Sequence, residues 1–185
     1  MYSVVTLEDV VRVPPNRFGN PLKETVIELL REKWQGIMSR DLGIIVSILD
    51  VKEIGVGKII MGDGGVYHRV VFDALVFKPE LHEVLEGEVV DVIDRGVFVR
   101  LGPIDGFVHI SQVMDDYLVH DASRGALIGR DTNKVVERND VVRVRIVSVS
   151  WAGPKLKIGL TMRQPGLGPL KYLVKEEEKS EAKSV

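Results

Sequence analysis

Residues 87–111 read GEVVDVIDRGVFVRLGPIDGFVHIS, and the way apolar side chains alternate along them decides the fold of the second half of the chain. Side chains point to opposite faces of a strand in turn, so Val97, Val99 and Leu101 fall on an inner face, with Phe98 and Arg100 on the outer one. Phe107 and His109 likewise share a face. Working outward, strand signals cover 83–93, 96–101, 105–110, 141–149 and 155–161, with turn residues between them. Five short strands spaced this way predict a small barrel. In the last, Leu156, Ile158 and Leu160 fill the interior and leave Lys155 and Lys157 outside. The stretch 111–140 is long for a connection, which predicts structure or function of its own. Flat rings beside cations suit single-stranded RNA, because bases stack on aromatics while basic groups hold phosphates. In the competing reading, Phe98 and Phe107 pack beneath the long connection.

The same residues carry a family pattern. Gly87, Val89, Gly96, Phe98, Gly106, Phe107, Val108, His109, Ile110 and Ser111 fill the places of the S-one domain, an RNA-binding OB-fold repeat first described in a bacterial ribosomal protein. The stretch resembles that family through to Thr161, where KIGLT stands for the final strand. Two positions depart from the pattern. Arg95 replaces the aromatic that commonly precedes the second glycine, and Ser150 stands where an acid usually follows the fourth strand. Lys157 takes the place of a frequent arginine. With one stacking platform lost, weak and sequence-tolerant binding is expected.

In the first half, 2–13 is valine-rich and reads as a strand ended by Pro14-Pro15. A helix follows, with Asn20 as cap and Pro21 at the first helical position; Leu22, Val26, Leu29, Leu30, Ile37 and Met38 recur along it at helical spacing. Residues 43–54 and 66–77 are further strands. Between them the glycines at 55, 57, 62, 64 and 65 suggest a tight hairpin, with Asp63-Gly64-Gly65 at its turn and the glycines at positive φ. Lys78-Pro79-Glu80 marks a boundary. Gly55-Val56-Gly57-Lys58 is no phosphate loop, since Ile59 replaces the Ser or Thr that must follow the lysine and a strand comes next.

The phrases VVRVPPNRFGNPL (10–22), SILDVKEIGVGKIIMGDGGVYHRVVFDALVFKPE (47–80) and SRGALIG (123–129) together resemble the large stalk subunit of archaeal DNA-directed RNA polymerase over residues 1–174. The resemblance implies an α+β chain: a truncated RNP-like domain (1–80) whose tip docks on the polymerase core, then a five-stranded S-one OB-fold barrel (81–174). A smaller stalk subunit is implied as permanent partner. By resemblance, Gly55, Gly57, Lys58, Gly62, Asp63, Gly64 and Gly65 form the docking tip. The RNA face is expected to use Arg95, Phe98, Arg100, Phe107, His109, Lys155 and Lys157. A free S-one RNA-binding protein of translation or RNA decay is the alternative.

Composition narrows the rest. A hydrophobic share of 45% with 28% charged residues is that of a folded globular chain, and the absence of cysteine excludes disulfides and thiolate zinc sites. No apolar run approaches the roughly 20 residues that span a bilayer, so a cytoplasmic address without membrane contact is expected. His68, His82 and His120 lack metal-ligand spacing, Asp115-Asp116 reads as a solvated turn, and no nucleophile elbow or acid–base carboxylate pair is identifiable. No catalytic site, metal or cofactor is expected. The formal charge is −2, yet 140–172 holds six basic residues against one acid, a net of +5. The tail 175–185 lacks apolar residues to bury and is expected to be disordered.

Overall fold

The computed structural model describes residues 1–152 and 155–173. The expected tail at 175–185 lies outside them. The chain divides into two compact units, one of Met1–Lys78 and one beginning at Pro79.

The first unit runs β1 (Tyr2–Val13), α1 (Leu22–Trp34), β2 (Met38–Ser39), β3 (Gly43–Ile54), β4 (Lys58–Ile59) and β5 (Val66–Phe77), with a 3-10 turn at Pro15–Arg17. Its antiparallel sheet has the order β1-β5-β3-β2, and β4 also pairs with β5. Alternation on β1 sends Val11 and Val13 inward, while β5 contributes Val70, Phe72, Ala74 and Val76 to the same layer. Val26 and Leu30 of α1 close over them with Ile45, Ile48 and Val51 of β3. Full burial of each such side chain contributes about 1.5–3 kcal/mol, enough in sum to hold one helix on one sheet face. Trp34 Nε1 and Lys33 Nζ both donate to Asp9 Oδ2, at 2.7 and 2.6 Å, and pin the helix end to β1.

The helix is shorter than its apolar spacing predicts. It stops at Trp34, where Gln35 is already extended and Gly36, at φ +82°, turns the chain. Ile37 and Met38 lie beyond it and are exposed, Met38 entering β2. Pro21 is the cap residue, ahead of the first helical position, and no side chain caps this end, so Asn20 does not do so.

The second unit contains β6 (Val84–Ile93), β7 (Gly96–Arg100), β8 (Asp105–His109), β9 (Leu118–Asp121), β10 (Ala126–Gly129), β11 (Val135–Glu137), β12 (Val141–Ala152), β13 (Lys155–Thr161) and β14 (Gly168–Pro169). Pairings β6–β7–β8–β13–β12 return to β6, so five strands close into a barrel, and β8–β13 is its parallel pair. Val89, Val97, Val99, Val108, Val144, Ile146 and Leu160 are buried inside. Closure leaves none of the five with a free edge. The stretch 111–140 folds as a separate three-stranded antiparallel sheet, β11-β10-β9. Asp116 organises its approach. It accepts from the Thr132 hydroxyl at 2.6 Å and from the backbone N–H groups of Thr132, Asp131 and Tyr117. The pair Asp115-Asp116 sits in a bend at the surface, and the hydrogen bonds of Asp116 give that bend a fixed shape. Among the described residues no helix is long and apolar enough to cross a membrane, and no group of three His, Cys, Asp or Glu is placed to hold a metal ion.

Candidate nucleic-acid interface

Strand register builds the aromatic platform. β7 and β8 pair antiparallel with Phe98 opposite Phe107, Gly96 opposite His109 and Arg100 opposite Asp105. Directly opposed side chains on one face touch, and the two rings meet with centroids 5.0 Å apart and planes tilted by 50°. Val97 and Val99 are buried, whereas Phe98 keeps 37% of its surface exposed, so the pair sits on the barrel's outside. On β13 Leu156, Ile158 and Leu160 point in, and Lys155 and Lys157 are exposed.

Phe98, Phe107 and Lys157 line one shallow concavity of ≈ 400 Å³, joined by Asp105, Gly159, Ser148 and Ser150. Ser150 lies opposite Lys157 in the β12–β13 pairing, so a hydroxyl occupies the place where the family pattern carries an acid. Lys157 makes no ion pair among the described residues, although Asp105 lines the same concavity. The two serines of β12 were not legible as site residues, because only barrel closure brings that strand beside the rings.

The remaining predicted residues are placed differently. Arg100 is drawn to Asp105, Nε to Oδ1 3.4 Å, which lessens its value as a phosphate contact. His109 Nδ1 lies 2.9 Å from the Ser111 hydroxyl and 3.3 Å from the Ser111 N–H, capping the 3-10 turn Ile110–Gln112. Arg95 lies exposed in the β6–β7 turn, whose carbonyl takes the Ile110 N–H, and Lys155 is next to the β12–β13 connection. Neither lines the concavity. The net charge of 140–172 does not form one free basic face: Arg143 pairs with Glu86, Arg163 with Asp115, and Lys171 with Asp140 and Glu137, while Arg145 bonds Gln164.

The glycine loop of the first unit is wider than a tight hairpin. β4 pairs Lys58 with Tyr67 and Ile59 with Val66, so residues 60–65 form the connection. Its turn is Ile60–Asp63, closed by the Asp63 N–H on the Ile60 carbonyl at 3.1 Å, with Gly62 third at φ +90°. That is the place where a type II turn demands positive φ. Gly64 and Gly65 are not in that region, which corrects the expected turn. Asp63 turns in toward Arg12 and Tyr67. Gly55 and Gly57 lie at the loop's base, where the Gly55 N–H reaches the Arg69 carbonyl at 2.7 Å and Lys58 is exposed. The residues that sequence reasoning passed over are the apolar ones: Val56 is 89% and Met61 100% exposed, with Ile59 and Ile60 also outside. The signal available was a run of apolar residues inside a glycine-rich loop that no strand pairing could bury.

Two family models match the chain. The SHS2 domain found in the N terminus of Rpb7p/Rpc25p/MJ0397 covers residues 8–64, and the S1 RNA binding domain covers 78–151. The DNA-directed RNA polymerase subunit Rpo7 of Saccharolobus shibatae is 44% identical over 96% of this chain and 100% of its own length. Rpo7 of Sulfolobus acidocaldarius is 43% identical over 97% of this chain and 99% of its own. The DNA-directed RNA polymerase II subunit RPB7 of Glycine max is 27% identical over 80% and 84%.

Proposed function

Because the chain belongs to the Rpo7 family of DNA-directed RNA polymerase subunits and carries an S1 RNA-binding domain, we propose that its two units divide one task between anchoring and RNA guidance. It is an accessory subunit of the polymerase complex. Its first unit fixes a stalk to the polymerase core through the loop at 55–65, and a smaller stalk subunit is its permanent partner in the cytoplasm. Its barrel receives nascent single-stranded RNA on the face of Phe98, Phe107 and Lys157, with Arg95, Arg100, His109 and Lys155 around it, and so supports initiation, elongation and termination without chemistry of its own.

The observation that carries the RNA half is the pair of opposed rings beside an exposed lysine on the outer barrel wall. A base finds a π face there and its phosphate a cation, and stacking of this kind tolerates any base. The anchoring half is supported by Val56, Ile59, Ile60 and Met61, which a free monomer would leave in water. Reconstitution tests both halves. The chain, mixed with the small stalk subunit and core polymerase lacking both, should co-migrate with the core on gel filtration. It should lose that association when Ile59 and Met61 are changed to serine, while its RNA affinity stays unchanged. Association that survives those changes would place the anchor elsewhere.

A further inference from the structure

The shape of the exposed loop depends on one carboxylate. Asp63 Oδ2 accepts from Arg12 Nε at 2.8 Å and from the Tyr67 hydroxyl at 2.5 Å; Oδ1 accepts from a second Arg12 nitrogen and from the Gly65 N–H at 3.0 Å. Arg12 belongs to β1 and Tyr67 to β5, adjacent strands on which the unit's core is built. The Asp63 side chain thus ties the loop to the rigid part of the unit from two sides. Gly65 makes room for this. It is buried beneath the guanidinium, and an added Cβ would meet Arg12 Nε at 2.8 Å and Cζ at 2.9 Å. The Arg12 hydrogen bonds, then those of Tyr67 and Gly65, hold the Asp63 carboxyl well below the usual carboxylate range, so the contact is ionised across the neutral range.

The outer half of the loop has the opposite character. Val56, Ile59, Ile60 and Met61 are exposed, and the two-residue pairing of β4 and the Ile60–Asp63 turn order the backbone there. A loop that is fixed at its root and apolar at its tip has already lost the freedom that docking would otherwise remove. We infer that Asp63 is a positioning residue: with Arg12 and Tyr67 it holds residues 56–61 in the shape that an apolar cleft on the polymerase core receives. This rests on the docking reading above. The occupant of that surface is a protein cleft lined by apolar side chains, because the loop offers it four apolar groups and a single cation, Lys58.

Apparent affinity falls in proportion to the fraction of molecules in the competent shape. If loss of the Asp63 contact leaves about one-tenth of loops in it, association with core polymerase weakens about tenfold. The test uses the full chain with its small partner and core polymerase lacking both, with affinity read by fluorescence anisotropy and backbone hydrogen exchange read over 60–66. Asp63→Ala and Arg12→Gln should each weaken association about tenfold and speed exchange in the loop. The double variant should be no weaker than either single, because both remove one contact. Arg12→Gln leaves the loop's own sequence intact, so a folding defect of Asp63→Ala does not decide the matter. Ile59→Ser/Met61→Ser separates the two claims. If it abolishes association while both clasp variants bind as wild type, docking stands and the role of Asp63 is overturned. If it too binds as wild type, both are overturned. Fully additive losses from the two clasp variants, with loop exchange unchanged, would mean that each side chain touches the partner independently, and would also overturn the inference.

Discussion

Removing the Phe98 ring probes the RNA face with a change the fold should survive. The side chain is 37% exposed, so Phe98→Ala forfeits only part of a buried ring's worth, roughly 2–3 kcal/mol against about 3–5 for full burial. Losing its contact with Phe107, centroids 5.0 Å apart, adds about 0.5–1.5 kcal/mol. A domain of ordinary stability, about 5–15 kcal/mol, stays folded after such a loss. A base stacked on the ring is worth about 1–3 kcal/mol, which corresponds to about 5- to 150-fold in Kd. Anisotropy with an unstructured RNA of about 12 nucleotides, within the ~4–16 one such barrel occupies, measures this at constant salt. Thermal melting of the same sample monitors the fold. Phe98→Leu is the sharper variant, since it keeps apolar bulk and lacks a π face; it should lose most of the stacking energy with little change in melting. Wild-type affinity in folded Phe98→Leu, and in Phe98→Ala/Lys157→Ala, would refute the assignment of this face.

Charge, acidity and backbone conformation offer three further tests. Lys157→Ala should reduce the slope of log K against log salt by about 0.7, the share of one phosphate contact on a single strand; an unchanged slope would mean that Lys157 meets no phosphate. Asp116 should titrate at about 2 by NMR, held down by the Thr132 side-chain and backbone hydrogen bonds and then by those of Asp131 and Tyr117. Since its pKa is lower in the folded than in the unfolded chain, its contribution is complete above about pH 4 and disappears as pH falls through 2. An ordinary midpoint near pH 4 would show those bonds absent in solution. Gly62→Val should disturb the loop at a cost of about 1–3 kcal/mol, because valine resists φ +90°. Gly64→Ala should be close to neutral, as its Cβ meets only Pro15 Cγ, at 3.4 Å. The reverse order of severity, read by loop hydrogen exchange, would contradict the turn described above.

Legibility followed the range of the forces involved. β1, β3 and β5 begin and end where the valine-rich runs do, because period-two burial and flanking Pro or Gly are local signals. α1 ends earlier than the spacing predicts, since Ile37 and Met38 keep the helical spacing while Gln35 is already extended and Gly36 at positive φ turns the chain. Residue identity could not say which of Gly62, Gly64 and Gly65 would take a left-handed conformation; the type II turn closing on Asp63 decides it. Phe98 and Phe107 could be placed on one face from alternation alone. Their concavity needed Ser148 and Ser150 from β12, which reaches the rings only because its neighbour β13 pairs in parallel with β8. The contact of Arg12 with Asp63 spans 51 residues of sequence and leaves no mark in either neighbourhood. The basic excess over 140–172 was real as a count, but folding pairs four of its cations with acids or an amide.

Polymerase reconstituted with this chain, stalled on a transcript carrying 4-thiouridine upstream of the RNA–DNA hybrid, allows the path of the RNA to be mapped by irradiation and peptide sequencing. The account predicts crosslinks to the peptides of β7, β8 and β13 that hold Phe98, Phe107 and Lys157, reduced in Phe98→Leu without loss of the subunit from the complex. Crosslinks confined to other subunits, or to the first unit of this chain, would contradict it.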